Sequence, residues 1–139
     1  MTASLTPISQ MGWEARYVGL PYVDGGRDWQ GVDCWGLVRL ALKEERGIDL
    51  PPYGEISARD LLRIARAMEH GKDAEVWLAV DAPQALDVLV MRPAGRSWAG
   101  HVGIMVDGRR VLHAEAGVNA CLVPVDHWSI AHRIIGYRR

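Results

Sequence analysis

An α+β domain, with N-terminal helices packed on a central antiparallel β-sheet, is the architecture this sequence predicts. Three observations lead there. Apolar residues at helical spacing are confined to the first half, as Leu37, Val38, Ala41 and Leu42 and then as Leu61, Ile64, Ala65 and Met68. The second half is instead a series of short apolar runs rich in β-branched residues. Asp107-Gly108 lies between two of those runs, a hairpin signal that makes the strands antiparallel neighbours. Helices first and hairpin-linked strands afterwards is the α+β pattern.

Taken in order, residues 8–18 predict a short helix carrying Met11, Trp13 and Tyr17. The segment 20–31, LPYVDGGRDWQG, has the glycines and aspartates of a turn-rich loop. A helix follows over 33–46, with Asp33 as its N-cap, Gly47 as its stop and Pro51-Pro52 barring continuation. A second helix spans 58–70, opened by Ser57-x-x-Asp60 and ended by Gly71, with His70 placed to cap its last carbonyls. Strands are predicted over 86–92, 101–106, 110–114, 120–124 and 132–137. The 139 residues make one domain, with residues 1–16 as an N-terminal extension.

Composition excludes several classes of function. Hydrophobic residues make up 49% and charged residues 24%, the balance of a globular chain rather than a disordered one. A net charge of −1 gives no electrostatic case for nucleic acid or an anionic membrane. No run approaches the ~18 apolar residues of a membrane span, and the N-terminus lacks the basic start and apolar run of a secretory signal. A product made in the cytoplasm, with no membrane insertion, is therefore expected. Cys34 and Cys121 form no CxxC pair, and a disulfide between them stays open. Arg109-Arg110 and Arg138-Arg139 read as solvated charge, while His127 and His132 carry no assigned role.

Three residues suggest chemistry. Cys34 sits at a helix start, where unpaired N–H groups and the positive dipole end favour a thiolate and where the sulfur is expected to be exposed. Free cysteines are otherwise small buried hydrophobes. His101 opens the run HVGIMV, and a histidine at a strand end can lean over a neighbouring helix start. His113 is twelve residues further on, with the Asp107-Gly108 turn midway, so a hairpin places both rings on adjacent strands with a parity that suits one face. Nucleophile, base and a third polar group orienting the base is the logic of a triad. The bland alternatives are a histidine at a sheet edge and another filling a gap. Zinc held by Cys34, His101 and His113 is the other chemical option, but no ligand pair has close helical spacing, so neither metal nor cofactor is expected.

At these residues the chain resembles the NlpC/P60 family of cell-wall peptidases, over about Tyr17 to Arg139. The segment Gly19-Leu-Pro-Tyr22 through Gly31-Val-Asp-Cys34-Trp-Gly-Leu-Val38 is similar to the family's nucleophile segment. Asp87 resembles the Asp of the strand before the histidine motif, Gly100-His-Val-Gly-Ile104 that motif itself, and Val111-Leu-His-Ala114 the segment bearing the third polar residue. The resemblance implies a papain-like fold, with Cys34 as nucleophile, His101 as base and His113 as its orienter. Tyr22, Asp33 and Trp35 are the substrate and oxyanion residues it implies. The substrate class is peptidoglycan stem peptides, cut at a γ-D-glutamyl–diaminopimelate bond or one nearby.

The form Cys34-Trp-Gly36, in place of Cys-Ser-Gly, and the ending Arg133-Ile-Ile-Gly-Tyr-Arg138 are similar to the family's phage-tail branch. That likeness implies a tail-tip component of a phage or gene transfer particle, with tail-tip or hub proteins as partners and the periplasm or cell wall as its place of action. Two other readings compete. Six tryptophans could anchor protein partners in an assembly subunit with little activity. A lipid acyltransferase or amidase of the same superfamily is disfavoured, because its permuted members place His before Cys.

Overall fold

The computed structural model describes residues 12–50, 78–92, 95 and 100–139. The predicted helix over 58–70, its His70, and most of the Pro93–Gly100 loop lie outside them, as do Met11, Trp77 and Trp98.

The helix predicted over 8–18 appears, within the described residues, as a single 3-10 turn, Trp13–Arg16. It ends early because Gly19, at φ 90°, turns the chain toward the sheet, where its N–H bonds the Ala120 carbonyl at 2.7 Å. The following loop is less irregular than its composition predicts. Arg27–Asp28 (β1) and Gly31–Val32 (β2) form a two-rung antiparallel ladder.

The long helix matches its prediction. α1 spans Cys34–Arg46, with Asp33 at the N-cap and Gly47, in the left-handed conformation, at the C-cap. Its inner face buries Trp35, Leu37, Val38, Ala41 and Leu42. Each fully buried side chain of this size contributes roughly 1.5–3 kcal/mol.

Six strands form one antiparallel sheet: Ala79–Val80 (β3), Val88–Met91 (β4), His101–Met105 (β5), Arg110–Glu115 (β6), Val118–Pro124 (β7) and Ile134–Arg138 (β8). Their order is β3-β8-β4-β5-β6-β7, so β4 to β7 form a meander and the last strand inserts between β3 and β4. One face, with Val88, Val90, Val102, Ile104, Leu112 and Ala114, packs against α1. The other holds Leu89, Met91, Met105, Val111 and Ile130. The fold is α+β as predicted, with one described helix on a large antiparallel sheet.

Several boundaries differ from the sequence reading, and β7 starts at Val118, two residues before the predicted 120. β4 starts two residues late because Leu86 has φ 70° and the Asp87 carboxylate accepts the Gln84 N–H at 2.7 Å, a turn rather than a strand. The β5–β6 connection falls at Asp107-Gly108 but is a longer loop: Val106 N–H bonds Arg110 O at 2.9 Å, and Asp107 Oδ1 accepts from the amides of Arg109 and Arg110. A 3-10 turn, Ala131–Arg133, delays β8. The terminal arginine is exposed, as expected of solvated charge, but it also has a partner. Arg139 forms a bidentate pair with the buried Asp87 at 2.8 and 2.7 Å, since a carboxylate withdrawn from water needs a charged partner.

Candidate active site

Asp33 builds the head of α1. Its Oδ1 accepts the Gly36 N–H at 2.7 Å and pairs with Arg27 at 2.6 Å, while Oδ2 accepts from Gly25 at 3.2 Å. The loop is thereby pinned against the helix so closely that a Cβ on Gly36 would lie 1.9 Å from the Gly26 carbonyl oxygen. Cys34 follows the cap, at the first position of the helix. The Val102 backbone, one residue after His101, is near enough to favour the thiolate, and Cys34 and Val102 share the core between α1 and β5.

The thiol is not exposed as a helix start predicts; Cys34 is only 3% accessible. Nor does the helix start lower its pKa. Burial pushes the thiol up to about 12, against the opposing pull of the Val102 and Trp35 backbone, and Asp33 adds to the rise. Desolvation of the anion outweighs the dipole here.

On the sheet, His101 Nε2 lies 2.9 Å from His113 Nδ1, and the rings meet edge-on with centroids 5.2 Å apart. Gly103 makes room, since a Cβ there would sit 3.1 Å from the Cβ of His113. Both histidines are buried. Burial, then the neighbouring His113, pushes His101 down to about 3, so its ring is neutral at ordinary pH. Burial lowers His113 as well. With Nε2 of His101 engaged, Nδ1 is the nitrogen left for a second partner. Among the described residues, no hydrogen bond joins it to Cys34.

The sequence model of the NlpC/P60 family matches residues 19–139. The chain belongs to this family. Protein P54 of Enterococcus faecium is 30% identical over 99 residues, which are 71% of this chain and 16% of P54, so the chain spans about a sixth of that relative's length. Among solved structures, an NLP/P60 family protein similar to lipoprotein, from Staphylococcus aureus subsp. aureus Mu50, superposes with a TM-score of 0.60 at 25% identity, covering 89% of this chain and 37% of its own. The NlpC/p60 domain of the peptidoglycan hydrolase SagA gives a TM-score of 0.57 at 23% identity and covers 88% of each chain. An NlpC/P60 family protein of Bacillus cereus ATCC 10987 gives 0.63 at 21% identity, over 88% of this chain and 36% of that one. The last two likenesses speak to the fold.

Within this NlpC/P60 domain, two of the expected substrate residues do other work. Trp35 is fully buried and packs in the core, and Asp33 is spent on the helix cap and Arg27. Tyr22 is half-buried, with its amide held by Asn119 Oδ1 at 3.0 Å. Burial, followed by the charges of Cys34, Asp24, Asp33 and Glu115, raises its hydroxyl to about 12, leaving a neutral donor near the sulfur. Cys34 and Cys121 are both free thiols, and Cys121 faces His113 across β6 and β7.

Sequence reasoning passed over Glu115 and Arg133. A Glu115 oxygen lies 3.9 Å from His101 Nε2, and its carboxylate binds Arg133 at 2.7 and 3.2 Å. The signal was the strand period of two, which puts His113 and Glu115 on one face. His101, His113 and Glu115 offer metal-ligating atoms within 4.8 Å of one another. Those atoms already satisfy each other: Arg133 holds the carboxylate and the two rings are bonded together.

Proposed function

We propose that this NlpC/P60 domain is a cysteine peptidase that hydrolyses an amide bond in the stem peptide of bacterial peptidoglycan. The observation that carries this reading is the 2.9 Å His101–His113 contact on the sheet against which α1, with Cys34 at its head, packs. SagA, described as a peptidoglycan hydrolase, lends support.

In this reading Cys34 is the nucleophile, His101 the base and His113 its orienter. The resting pair is neutral, so the thiol gives its proton to His101 Nδ1 as the sulfur attacks the amide carbonyl. His101 Nε2–H donates to His113 Nδ1 throughout and fixes the tautomer. The Cys34 N–H, free at the first helical position, and the Tyr22 hydroxyl receive the oxyanion. One such donor lowers a barrier by roughly 3–4 kcal/mol. His101 passes its proton to the leaving amine, and a thioester forms. Water then attacks the thioester, giving its proton back through His101 to the departing sulfur.

The finer reading is a tail-tip component of a phage or gene transfer particle, docked on tail or hub proteins and acting at the cell wall. It is supported by the likeness of Cys34-Trp-Gly36 and of Arg133-Ile-Ile-Gly-Tyr-Arg138 to that branch. The burial of Cys34 favours one competing reading, an assembly subunit that keeps the fold and has little activity. Digestion of purified muropeptides, with products identified by mass spectrometry, separates the two. Cleavage by the wild type and none by a folded Cys34→Ala variant is expected of the peptidase. Cleavage retained in that variant would refute the assigned nucleophile.

A further inference from the structure

We propose that Glu115, clamped by Arg133, is a positioning residue of the histidine pair: its carboxylate keeps the proton on His101 Nε2 and supports the imidazolium formed when Cys34 releases its proton. The proposal deepens the peptidase reading and rests on His101 being the base.

The geometry is built rather than incidental. Arg133 is itself buried, and its guanidinium is fixed from three directions. Nε bonds the Arg92 carbonyl at 2.8 Å, Nη1 bonds the Ser129 carbonyl at 3.4 Å, and both terminal nitrogens bond Glu115. A guanidinium is the natural clamp for a carboxylate because two parallel bonds fix its plane. The clamp aims the carboxylate at the His101–His113 contact and leaves one oxygen 3.9 Å from the shared nitrogen.

The two charges act on His101 in opposite directions. Glu115 favours a protonated ring and Arg133 disfavours it. Glu115 is itself held ionised: burial pushes its carboxyl up, but the Arg133 bonds overcome this and bring it below its ordinary range. His113, the other member of the pair, is neutral at ordinary pH, as are the groups that feel the Glu115 charge, the Tyr22 hydroxyl from the loop and the Cys121 thiol from β7, both raised by burial. The carboxylate and its guanidinium are therefore the charged pair that sets the field at His101.

Opposite signs make the test. In muropeptide cleavage, Glu115→Gln should lower kcat by between about tenfold and ~100-fold with KM within roughly twofold, the scale of losing a partner that orients a functional group. It should move the acid limb of kcat/KM to lower pH, by about half a unit or more. Arg133→Met should move that limb to higher pH, and Arg133→Lys, which keeps a cation, should leave it near the wild-type position. If Arg133→Met does not fold, a downward shift in Glu115→Gln against an unmoved limb in Arg133→Lys still tests the carboxylate's sign. Titration of the His101 ring by NMR, in a Cys34→Ala background, repeats the comparison without turnover. A chain that cleaves nothing would sink the peptidase reading while leaving this titration to decide the role of Glu115. Shifts in the same direction for Glu115→Gln and Arg133→Met, or a lower melting temperature with an unmoved limb, would overturn the proposal.

Discussion

The cysteine side and the histidine side of the site are assembled over different distances along the chain. At the head of α1, Asp33 reaches Gly36, Arg27 and Gly25, partners three, six and eight residues away. Around His101, the contact to His113 spans twelve residues and the Glu115–Arg133 clamp eighteen. The first side is a local motif, set by a cap and a glycine-rich turn. The second exists only once the sheet has formed. The difference teaches that the nucleophile's place at the helix head is settled in the chain's local preferences, whereas its burial and the base's surroundings depend on the sheet.

Breaking the local side should have the largest effect. Gly36→Val puts a side chain into the Gly26 carbonyl, with backbone on both sides of the clash. A loss of about 3 kcal/mol or more, or failure to fold, is expected in thermal or urea unfolding. The same substitution at an exposed helical position such as Glu44 should be nearly silent, which isolates the close approach as the cause.

The histidine side is next, read in activity. His101→Ala should abolish muropeptide cleavage, while His113→Ala should leave a residual rate, because an orienter acts through the base and not on the substrate. Rates lost equally and completely in both would erase the distinction between the two roles. Asp33→Ala should then cost about 1–2 kcal/mol through the lost cap, with Arg27 losing its partner as well. Measured by urea unfolding, a cost under a few tenths would mean that the cap is not what holds the cysteine side.

The smallest effect sharpens the comparison by pH. An unfolded histidine takes a proton near 6.5, but His101 resists until about 3, so the unfolded state binds more protons in between and stability falls as pH drops below 6.5. An unfolded cysteine loses its proton near 9.0, but Cys34 holds its proton to about 12, so stability falls as pH rises above 9.0. A plateau between those limits is expected in melting temperature. Asp87, Asp107 and Glu115, all lowered, steepen the acid side further down. Cys34→Ala should flatten the alkaline limb and leave the acid one in place. An unchanged alkaline limb would show that burial of the thiol carries little of the pH dependence.

What the sequence made legible follows the same division. The bounds of α1 were readable because Asp33 and Gly47 signal its ends from within the helix's own neighbourhood. The strands were readable as apolar runs, and the turn between them put His101 and His113 on adjacent strands, but the register, with Ile104 opposite Leu112, makes their contact a diagonal one rather than the expected direct pair. The burial of Cys34 was not legible, because accessibility at a helix head depends on what docks above it, here the start of β5. Trp35 illustrates the same gap, since adjacency to the cysteine in sequence says nothing of which way a helical side chain faces. The Asp87–Arg139 pair was hidden for another reason: it needs the final strand to be inserted beside β4, a topology no local pattern encodes.

The seat of the sulfur also bears on how the protein tolerates oxidants. Peroxide attacks thiolates, and the first product, a sulfenic acid, forms fastest where the sulfur is both ionised and open to solvent. Cys34 is neither, being held protonated beneath the start of β5. The half-exposed Cys121, across the sheet from His113, is the more approachable sulfur and stands to absorb the first damage.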